Sequence, residues 1–488
     1  MIKKPIIKFV GYILLFLGLS MFVTSLLPLI YGENDFYIFI KSGLITTVTA
    51  LILLFLSRGE AKSEINLRDG FYVVTMSWIF MGVFSALPYY QSSFFTTFTD
   101  AFFESISGIT TTGASILTNI EALPHGLLFW RSFTQFIGGM GIILFTIAIL
   151  PILGMGGIQL FRAEVPGPTT DKLTPTIKET AKYLWIIYLG LIVIETAVLY
   201  LEGIIFNIDK LTLFNAVCHS MTTMATGGFS TFNNSIMGFE SDIVSWTIMI
   251  FMFLAATNFS LHFLLIAKKS FQYFNDSEFR FYISFIVIFF ILTFINVATI
   301  YGYTLKNVTA SLFNTISILT TTGFTLYDYG SWPALSQLIV FFLFFIGGMA
   351  GSTSGGIKLI RTILVVKYIK SEVTRMLHPR GLHHVKIGDS VIDDEIVRST
   401  LGFYLFYILI FALCALVVSF NGFDIVSSLA ISASSIGNVG PGLGIIGPTS
   451  SWASLNDPTK YLSMFCMLLG RLEIFTVLIL FSRTYWRS

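Results

Sequence analysis

Long apolar runs, separated by short polar connections, follow one another along almost the whole chain. A helix that crosses a bilayer needs about 20 predominantly apolar residues. Ten runs reach this length, and they cover residues 7–30, 36–57, 70–90, 127–152, 183–206, 243–266, 281–302, 334–357, 398–420 and 461–483. The pattern therefore predicts an all-α polytopic membrane protein with ten transmembrane helices.

The composition agrees with a chain that lies mostly in lipid. Hydrophobic residues make up 55% of the 488 residues and charged residues only 11%, whereas a soluble domain carries about 25% charged residues. So few charges cannot cover a water-exposed surface, so membrane lipid must cover most of the surface of this protein. Membrane lipid is therefore an expected partner. The net charge of +2 gives no indication of nucleic-acid binding.

Lys and Arg are concentrated in alternate connections, which indicates the orientation of the chain. They cluster at the amino terminus, in residues 58–68, 162–182, 268–280 and 358–398, and in the last residues of the chain. By the positive-inside rule these connections face the cytoplasm. We therefore expect a multi-pass protein of the inner membrane with both termini cytoplasmic. The intervening connections are acidic, which either raises the cation concentration at the outer mouth or follows from the topology alone.

Four segments between paired runs are too short or too polar to cross the membrane. They cover residues 100–115, 213–231, 312–325 and 424–444. Each begins with a short apolar helical stretch, with Asp100 and Asp424 at positions typical of amino-terminal caps, and then breaks at a run that contains glycine. We name these runs glycine loops 1 to 4, and they are residues 110–114 (TTTGA), 225–229 (ATGGF), 320–324 (TTTGF) and 437–441 (GNVGP).

The recurrence of run, re-entrant segment and run divides the chain into an amino-terminal helix pair and four repeats. The corresponding domains are residues 1–66 for the pair and 67–160, 161–270, 271–395 and 396–488 for repeats 1 to 4. Repeat 3 also contains a glycine-rich segment and a charged cytoplasmic connection. Internal repetition on this scale predicts pseudo-fourfold symmetry about an axis along the membrane normal.

Four converging glycine loops have the chemistry of a cation pathway. A dehydrated K⁺ needs a cage of oxygens, which rings of backbone carbonyls supply, and glycine permits the positive φ that turns carbonyls inward. Non-helical backbone at membrane depth is tolerated only where it lines a water-filled path or is buried in protein. The short helices before the loops would direct their partially negative carboxyl ends towards a bound cation. Tight turns between packed helices are the alternative interpretation.

The two T-T-T-G motifs that begin at Thr110 and Thr320, with their relatives in loops 2 and 4, resemble the filter motifs of the Trk/Ktr/HKT superfamily of cation transporters. The amino-terminal helix pair makes the chain similar to the membrane-subunit branch, TrkH and TrkG, of the Trk potassium uptake systems. In that family the carbonyls just before each filter glycine bind K⁺. The resemblance implies K⁺ contacts at Thr111, Thr112, Gly113, Ala225, Thr226, Gly227, Gly228, Thr321, Thr322, Gly323, Asn438, Val439 and Gly440.

Loops 2 and 4 depart from the T-T-T-G pattern. In loop 2 either Gly227 or Gly228 can be the filter glycine, although the Gly-Phe pair shared with loop 3 favours Gly228. Loop 4 has Asn438 and Val439 in place of two threonines. All four loops match only a few residues of the longer filter in tetrameric K⁺ channels, so we expect fewer ion sites than in those channels and weaker discrimination against Na⁺.

The resemblance implies K⁺ uptake across the inner membrane through a gated pore, with modest discrimination against Na⁺. A Na⁺-coupled or Na⁺-permeable HKT-type cation transporter is the alternative within ion transport, and both channel and symport mechanisms stay open. A membrane-embedded haem or metal enzyme is a remote alternative, because only His219 and His262 of the six histidines lie in membrane segments. We expect no enzymatic activity and no resident cofactor. The family also implies a homodimer and a cytoplasmic nucleotide-binding regulatory subunit similar to TrkA.

Residues 347–356, within the eighth run, include five glycines, and each glycine in a helix interior costs roughly 1 kcal/mol relative to alanine. This predicts an unwound segment, here named the gate segment, that borders the ion path. The resemblance implies that it gates the pore, through Gly347, Gly348, Gly351, Ser352, Ser354, Gly355 and Gly356. Close helix packing through small residues is the alternative, and we favour that interpretation for the shorter run Gly138–Gly141.

Two arginines lie within apolar runs. Arg471 is in the last run, and an intramembrane arginine is costly unless it faces a cavity or a partner. The resemblance implies that Arg471 projects into the pore below the filter and acts as an electrostatic barrier, whereas a structural ion pair is the alternative. Arg131 lies near the outer start of its run, where we expect it to snorkel to the interface.

Overall fold

The computed structural model describes residues 4–58, 67–141, 177–379, 384–388 and 390–486. Six helical stretches within these ranges are long and apolar enough to cross a membrane, and they are Lys4–Tyr31, Phe36–Leu56, Asp69–Gln91, Glu179–Ile205, Ser277–Tyr301 and Asp394–Phe420. The prediction of a mostly helical, membrane-crossing chain is confirmed. The end of the run 127–152, most of the basic connection 162–182 and the boundary between the domains 67–160 and 161–270 lie outside the described residues.

In chain order, the α-helices of the described ranges are α1 (Lys4–Thr24), α2 (Leu26–Tyr31), α3 (Phe36–Leu56), α4 (Leu67–Ser85), α5 (Leu87–Gln91), α6 (Phe98–Ile109), α7 (His125–Phe136), α8 (Ile177–Ile205), α9 (Leu213–Met224), α10 (Asp242–Ala255), α11 (Phe259–Lys268), α12 (Ser277–Tyr301), α13 (Leu305–Leu319), α14 (Ala334–Leu343), α15 (Leu359–Leu377), α16 (Asp394–Phe420), α17 (Ile425–Gly437), α18 (Asp457–Arg471), α19 (Phe475–Leu478) and α20 (Arg483–Trp486). Within the described residues the all-α prediction is not fully met, because the charged connection contains a small antiparallel hairpin of β1 (Lys386–Ile387) and β2 (Ser390–Val391).

The amino-terminal pair packs through small residues. A Cβ built on Gly18 in α1 would lie 3.2 Å from the carbonyl oxygen of Gly43 in α3, and a Cβ built on Gly43 would lie 3.2 Å from the carbonyl oxygen of Gly18. Small residues of this kind let two helix backbones approach closely in a membrane. The chain turns between the two helices after Gly32, which ends α2 with a φ of 70°.

The four short helices α6, α9, α13 and α17 lead into the glycine loops. Each begins at a side chain that accepts the backbone N–H three residues ahead, and these caps are Thr97, Thr212, Thr304 and Asp424. The cap predicted at Asp424 is confirmed, but the cap predicted at Asp100 is wrong. Thr97 accepts the Asp100 N–H at 3.1 Å, and the Asp100 carboxylate instead pairs with Nζ of Lys460 at 2.7 Å.

The helix that follows each glycine loop is interrupted. The axes of α10 and α11 differ by 93°, and those of α18 and the helical segment after it by 110°. α14 ends at Leu343 and α15 begins only at Leu359, and after α7 the backbone at Gly139 has a non-helical ψ of −111°. The runs 243–266, 334–357 and 461–483 are therefore not continuous helices. Their hydropathy indicated that these segments lie in the membrane, but it does not indicate whether a helix is unbroken.

The repeats interlock through these second helices. α7 packs against α9, the short helix of the next repeat, and α10 packs in the same way against α13. α18, in the last repeat, packs against α6 of the first. This order closes the chain on itself and brings the glycine loops into the interior.

Candidate functional site

The four glycine loops share one backbone conformation. A residue with a side chain adopts the left-handed region in each loop, with φ of 53° at Thr111, 52° at Thr226, 56° at Thr321 and 53° at Asn438. Two residues later comes a glycine with positive φ, which is 78° at Gly113, 76° at Gly228, 76° at Gly323 and 96° at Gly440. Residues with a side chain rarely adopt positive φ unless their surroundings determine it. Gly228, and not Gly227, is thus the conformational counterpart of the other three glycines.

An equivalent hydrogen bond winds each loop onto the end of its short helix. The N–H of the residue before the positive-φ glycine donates to the carbonyl five residues earlier, from Thr112 to Ser107 (2.9 Å), Gly227 to Thr222 (2.8 Å), Thr322 to Ser317 (2.9 Å) and Val439 to Ser434 (3.1 Å). A bond of this span across a left-handed residue is a common way to end a helix. The four short helices therefore end in the same turn.

The positive-φ glycines lie in a closed ring, each against a carbonyl of the next loop. A Cβ built on Gly113 would overlap the carbonyl oxygen of Gly227. Equivalent overlaps join Gly228 to Thr322, Gly323 to Val439 and, from the last loop to the first, Gly440 to Thr112. The structure thus brings together all four loops that the sequence singled out, and it leaves room only for glycine at these positions.

A polar cavity of about 380 Å³ opens on the side of the ring where the chain leaves the loops. Its lining includes Gly113, Gly228, Gly323 and Gly440, together with Ser115, Ser230, Thr325 and Trp452. One water occupies about 30 Å³ in the liquid, so the cavity is large enough for a cation and part of its hydration shell.

The gate segment is unwound, as the sequence predicted, and lies against glycine loops 3 and 4. The Gly355 N–H donates to Oγ1 of Thr321 at 2.6 Å, and a Cβ built on Gly355 would lie 2.8 Å from the carbonyl oxygen of Gly437. The two ends of the segment are joined, because the Gly347 N–H donates to the carbonyl of Ile357 at 2.9 Å.

The gate segment also enters the break between α10 and α11. Gly351 and Gly356 have positive φ of 70° and 63°. A Cβ built on Gly351 would lie 2.8 Å from Oδ1 of Asn258, and a Cβ built on Gly348 would lie 2.8 Å from the Ala256 carbonyl oxygen. The interruption of one span thus accommodates the non-helical segment of another.

Two serines and a lysine hold the gate segment from within. Oγ of Ser352 donates to the Met349 carbonyl at 2.6 Å and lies 2.9 Å from Oγ of Ser354, which accepts the Gly348 N–H at 3.0 Å. The buried Nζ of Lys358 donates to the carbonyls of Ser352 and Ser354 at 3.3 and 2.5 Å. Sequence reasoning missed Lys358, although a lone lysine directly after a glycine-rich membrane segment was a signal for it.

Arg471 connects the gate segment to the broken end of α7. Its Nη1 donates to the carbonyl of Thr353 at 2.9 Å. Its Nη2 donates to the carbonyls of Gly138 and Gly139 at 2.5 and 3.0 Å. These carbonyls are accessible because the backbone leaves the helical conformation at Gly139. The guanidinium therefore lies between repeats 1 and 3, on the same side of the ring as the gate segment.

The contacts around Arg471 concern two interpretations made from the sequence, namely a structural ion pair for Arg471 and close helix packing at Gly138–Gly141. The carboxylate of Glu473 pairs with Arg361, Nη2 to Oε2 at 2.5 Å, so that among the described residues the partners of Arg471 are backbone carbonyls. Close packing at the Gly138–Gly141 run is also present, because a Cβ built on Gly138 would overlap the carbonyl oxygen of Ile109. The sequence analysis did not foresee that the same glycines also open the helix.

The prediction that Arg131 snorkels to the interface is wrong. Its side chain is only 2% exposed, and its Nε donates to Oε1 of the buried Glu104 at 2.8 Å. Its Nη1 donates to the carbonyl of Ser230, just after glycine loop 2, at 2.8 Å. Burial of an arginine requires such partners, but the pairing with Glu104 in the preceding short helix has no local sequence signal.

The two membrane-embedded histidines have structural partners. Nε2 of His219 is 2.9 Å from Oγ of Ser230, and Nδ1 of His262 is 2.7 Å from the hydroxyl of Tyr273. In the part of the chain that the structure describes, no group of three His, Cys, Asp or Glu side chains is placed to hold a metal ion.

Comparison with known proteins gives a consistent result. A family model described as TrkH, cation transport protein, matches residues 37–488. The Trk system potassium uptake protein TrkH of Vibrio parahaemolyticus is 38% identical over 99% of both chains, and TrkG of Escherichia coli K12 is 37% identical over 98% of this chain and 97% of its own. The crystal structure of the potassium transporter TrkH from Vibrio parahaemolyticus superposes with a TM-score of 0.88, at 36% identity and 99% coverage of both chains.

Proposed function

Since this chain belongs to the TrkH family of cation transport proteins, we propose that it takes up K⁺ across the inner membrane through a gated pore. Four repeats related by pseudo-fourfold symmetry form this pore. Its relatives in Vibrio parahaemolyticus and Escherichia coli are named potassium uptake proteins and align with it over nearly their full length. Their function is transport and not an enzymatic reaction. The family thus supports the class of function, and the residues of this chain support the mechanism.

The observation that carries the proposal is the closed ring of glycine loops. Carbonyls of four different loops lie against one another's glycines around a common centre, which is the arrangement that can replace the hydration shell of a cation. In this proposal the four loops are pore loops, and the sites predicted from Thr111 to Gly440 form the selectivity filter. The carboxyl ends of α6, α9, α13 and α17 add partial negative charge at the ring.

We propose that the gate segment and Arg471 close the pore on the cytoplasmic side of the filter. The hydrogen bond from Gly355 to Thr321 puts the segment directly against the filter. The Arg471 guanidinium spans from Thr353 to Gly138 and Gly139. A fixed positive charge in a low-dielectric passage opposes a permeating cation. Opening therefore requires the hydrogen bonds from Arg471 to these carbonyls to break.

The arrangement in the membrane follows from the same proposal. Each interrupted second helix counts as one span, which gives ten spans with the six long helical stretches. The basic connections and both termini then face the cytoplasm, and the 380 Å³ cavity is the outer vestibule. We also propose a homodimer that is regulated by a separate cytoplasmic nucleotide-binding subunit similar to TrkA.

The glycines favour K⁺ over the Na⁺-permeable HKT-type alternative. All four loops have a glycine at positive φ, and none of these positions has room for a side chain. Loops 2 and 4 lack the paired threonines of loops 1 and 3, which supports modest and not strict discrimination against Na⁺.

Rubidium uptake into proteoliposomes tests the proposed function. We expect uptake that excess K⁺ inhibits more strongly than excess Na⁺, and that increases when a cytoplasmic nucleotide-binding partner is added. Reversal potentials in separate K⁺, Na⁺ and pH gradients then separate a channel from a symporter. Equal inhibition by Na⁺ would favour the HKT-type alternative, and uptake no higher than in protein-free liposomes would overturn the proposal.

A further inference from the structure

Glycine loops 1 and 3 carry their own internal brace. In loop 1 the hydroxyls of Thr110 and Thr112 lie 2.8 Å apart, and in loop 3 those of Thr320 and Thr322 are also 2.8 Å apart. Each pair joins the residues before and after the left-handed position. This cross-link opposes unwinding of the turn, because breaking it would cost a buried hydrogen bond.

Loop 2 cannot form this brace, because Ala225 and Gly227 occupy the two positions. Neither residue has a hydroxyl, and Gly227 has no side chain at all. The turn nevertheless has the same backbone conformation as loops 1 and 3, with φ of 52° at Thr226 and 76° at Gly228. In loop 2 a contact from outside the loop can therefore take the place of the brace.

Gln135 of α7 occupies the space of the missing side chain. Its Nε2 donates to the carbonyl of Gly227 at 2.6 Å, and its Oε1 accepts the N–H of Phe229 at 3.0 Å. A Cβ built on Gly227 would lie within 2.8 Å of the Gln135 amide nitrogen. The amide is fully buried, and its two bonds fix the backbone on both sides of Gly228.

Arg131 extends the same contact by one helical turn. Residues four apart lie on one face of a helix, and Arg131 donates through Nη1 to the Ser230 carbonyl at 2.8 Å. Its guanidinium carbon lies 4.1 Å from the centre of the Phe229 ring, and its Nε pairs with Glu104. The face of α7 thus holds loop 2 at Gly227 and Phe229 and the next residue at Ser230, and α7 belongs to the preceding repeat.

We propose that Gln135, supported by Arg131, is a positioning residue that determines how well the second filter loop discriminates K⁺ from Na⁺. This inference rests on the proposed transport function. The hydrogen bond from Gln135 keeps the Gly227 carbonyl from following a smaller ion inward, and it takes up part of the electron density of that oxygen. Selectivity depends on the number, field strength and mobility of the coordinating carbonyls, so the bond favours the larger, more weakly hydrated K⁺.

The test compares inhibition of rubidium uptake by Na⁺ and by K⁺ in proteoliposomes of the full chain. We expect Gln135→Ala to weaken the preference for K⁺ by about fivefold, the size of one net hydrogen bond. The triple variant Gln135→Ala/Ala225→Thr/Gly227→Thr gives loop 2 the T-T-T-G brace, and we expect it to recover most of the preference. The inhibition ratio does not depend on the amount of active protein, so a merely structural role would not change it.

Gln337→Ala is the matched control. Gln337 also donates to two backbone carbonyls, of Gly330 and Trp332 at 2.8 Å each, but it lies outside the ring, and its removal should leave the ratio unchanged. If Gln135→Ala does not insert into the membrane, the same inhibition ratio is measured with Gln135→Asn, whose shorter side chain cannot reach Gly227. A wild-type ratio in the Gln135 variant overturns this inference alone, whereas absence of selective uptake in the wild type overturns the proposed function.

Discussion

At single positions, the strongest constraint is the absence of a Cβ in the ring of glycines. Gly113 and Gly323 combine a positive φ with a carbonyl of the next loop in the place where a side chain would begin. A substitution there is opposed both by backbone strain and by overlap with a neighbouring loop. The neighbour cannot move aside, because it is itself backbone within the ring.

We predict that Gly323→Ala abolishes K⁺ uptake or its selectivity while the protein still inserts into the membrane, and that Gly113→Ala does the same. The measurement is K⁺-dependent growth and rubidium uptake in a strain without other K⁺ uptake systems. Gly190→Ala is the control, since a Cβ at this position in α8 meets no atom within 4 Å. Normal uptake by both loop variants would count against the assignment of the filter.

The buried pair of Arg131 and Glu104 makes a second prediction at this scale. Removal of one partner of a buried ion pair costs about 3–5 kcal/mol, whereas replacement of both by apolar residues is often neutral. We expect Arg131→Met to lower the melting temperature of the purified protein markedly, and Arg131→Met/Glu104→Leu to lower it less. Equal losses in the single and double variants would contradict this expectation, because they would show that an unpaired Glu104 carries no cost.

The control for that comparison is an exposed ion pair. A hydrogen bond from Lys210 holds the pKa of Glu240 below its ordinary value, yet the two side chains are 49% and 77% exposed. Exposed pairs contribute little to stability because water and salt screen them. We therefore expect Lys210→Met to leave the melting temperature unchanged.

Sequence reasoning identified the glycine loops at the residue scale but not the side chains that support them. The T-T-T-G motifs could be found because their chemistry is local and repeated. Gln135 and Glu104 could not, because their partners lie in other helices and become neighbours only when the repeats interlock. The choice between Gly227 and Gly228 likewise needed the backbone conformation.

At the scale of the helices, the interruptions of the second helices are the main departure from the sequence prediction. Only the gate segment was expected to be unwound, because five glycines make a helix costly there. The breaks after α10 and α18 carry no such excess of glycine. The break after α10 instead accommodates the gate segment, since a Cβ built on Gly351 would lie 2.8 Å from Oδ1 of Asn258. The same Oδ1 accepts the Ser260 N–H at 2.8 Å and begins α11.

Arg471 carries the prediction that belongs to this scale, since its side chain joins two interrupted elements. We expect Arg471→Ala to raise basal rubidium uptake in the absence of a regulatory partner, because the bridge from Thr353 to Gly138 and the positive charge are both lost. Arg375→Ala is the control, because this arginine is 66% exposed and pairs with the neighbouring Glu372. Unchanged basal uptake in the Arg471 variant would remove this residue from the gate.

For the molecule as a whole, hydropathy and repetition predicted a helical membrane protein with an amino-terminal pair, and these features are present. The small hairpin Lys386–Val391 was not foreseen, because two-residue strands in a charged connection have no periodic signal. The order in which the loops meet was also inaccessible, since it depends on packing of α7, α10 and α18 on the short helices of neighbouring repeats.

The orientation predicted from charge can be tested by labelling single cysteines. The native Cys218, Cys414 and Cys466 are buried, which keeps the background low. We expect an impermeant thiol reagent to label Glu240→Cys in intact cells, and to label Arg375→Cys only after permeabilisation. The opposite pattern would reverse the proposed topology, and both positions are exposed enough to react.

The most direct test of the whole account is to locate the ion itself, by anomalous diffraction from crystals of the full chain grown in rubidium. We predict a rubidium peak inside the ring, within coordination distance of carbonyls from all four glycine loops. This peak should disappear when K⁺ is added in excess and persist in excess Na⁺. Rubidium found only outside the ring, or a ring in which Na⁺ displaces it as readily as K⁺ does, would contradict the account.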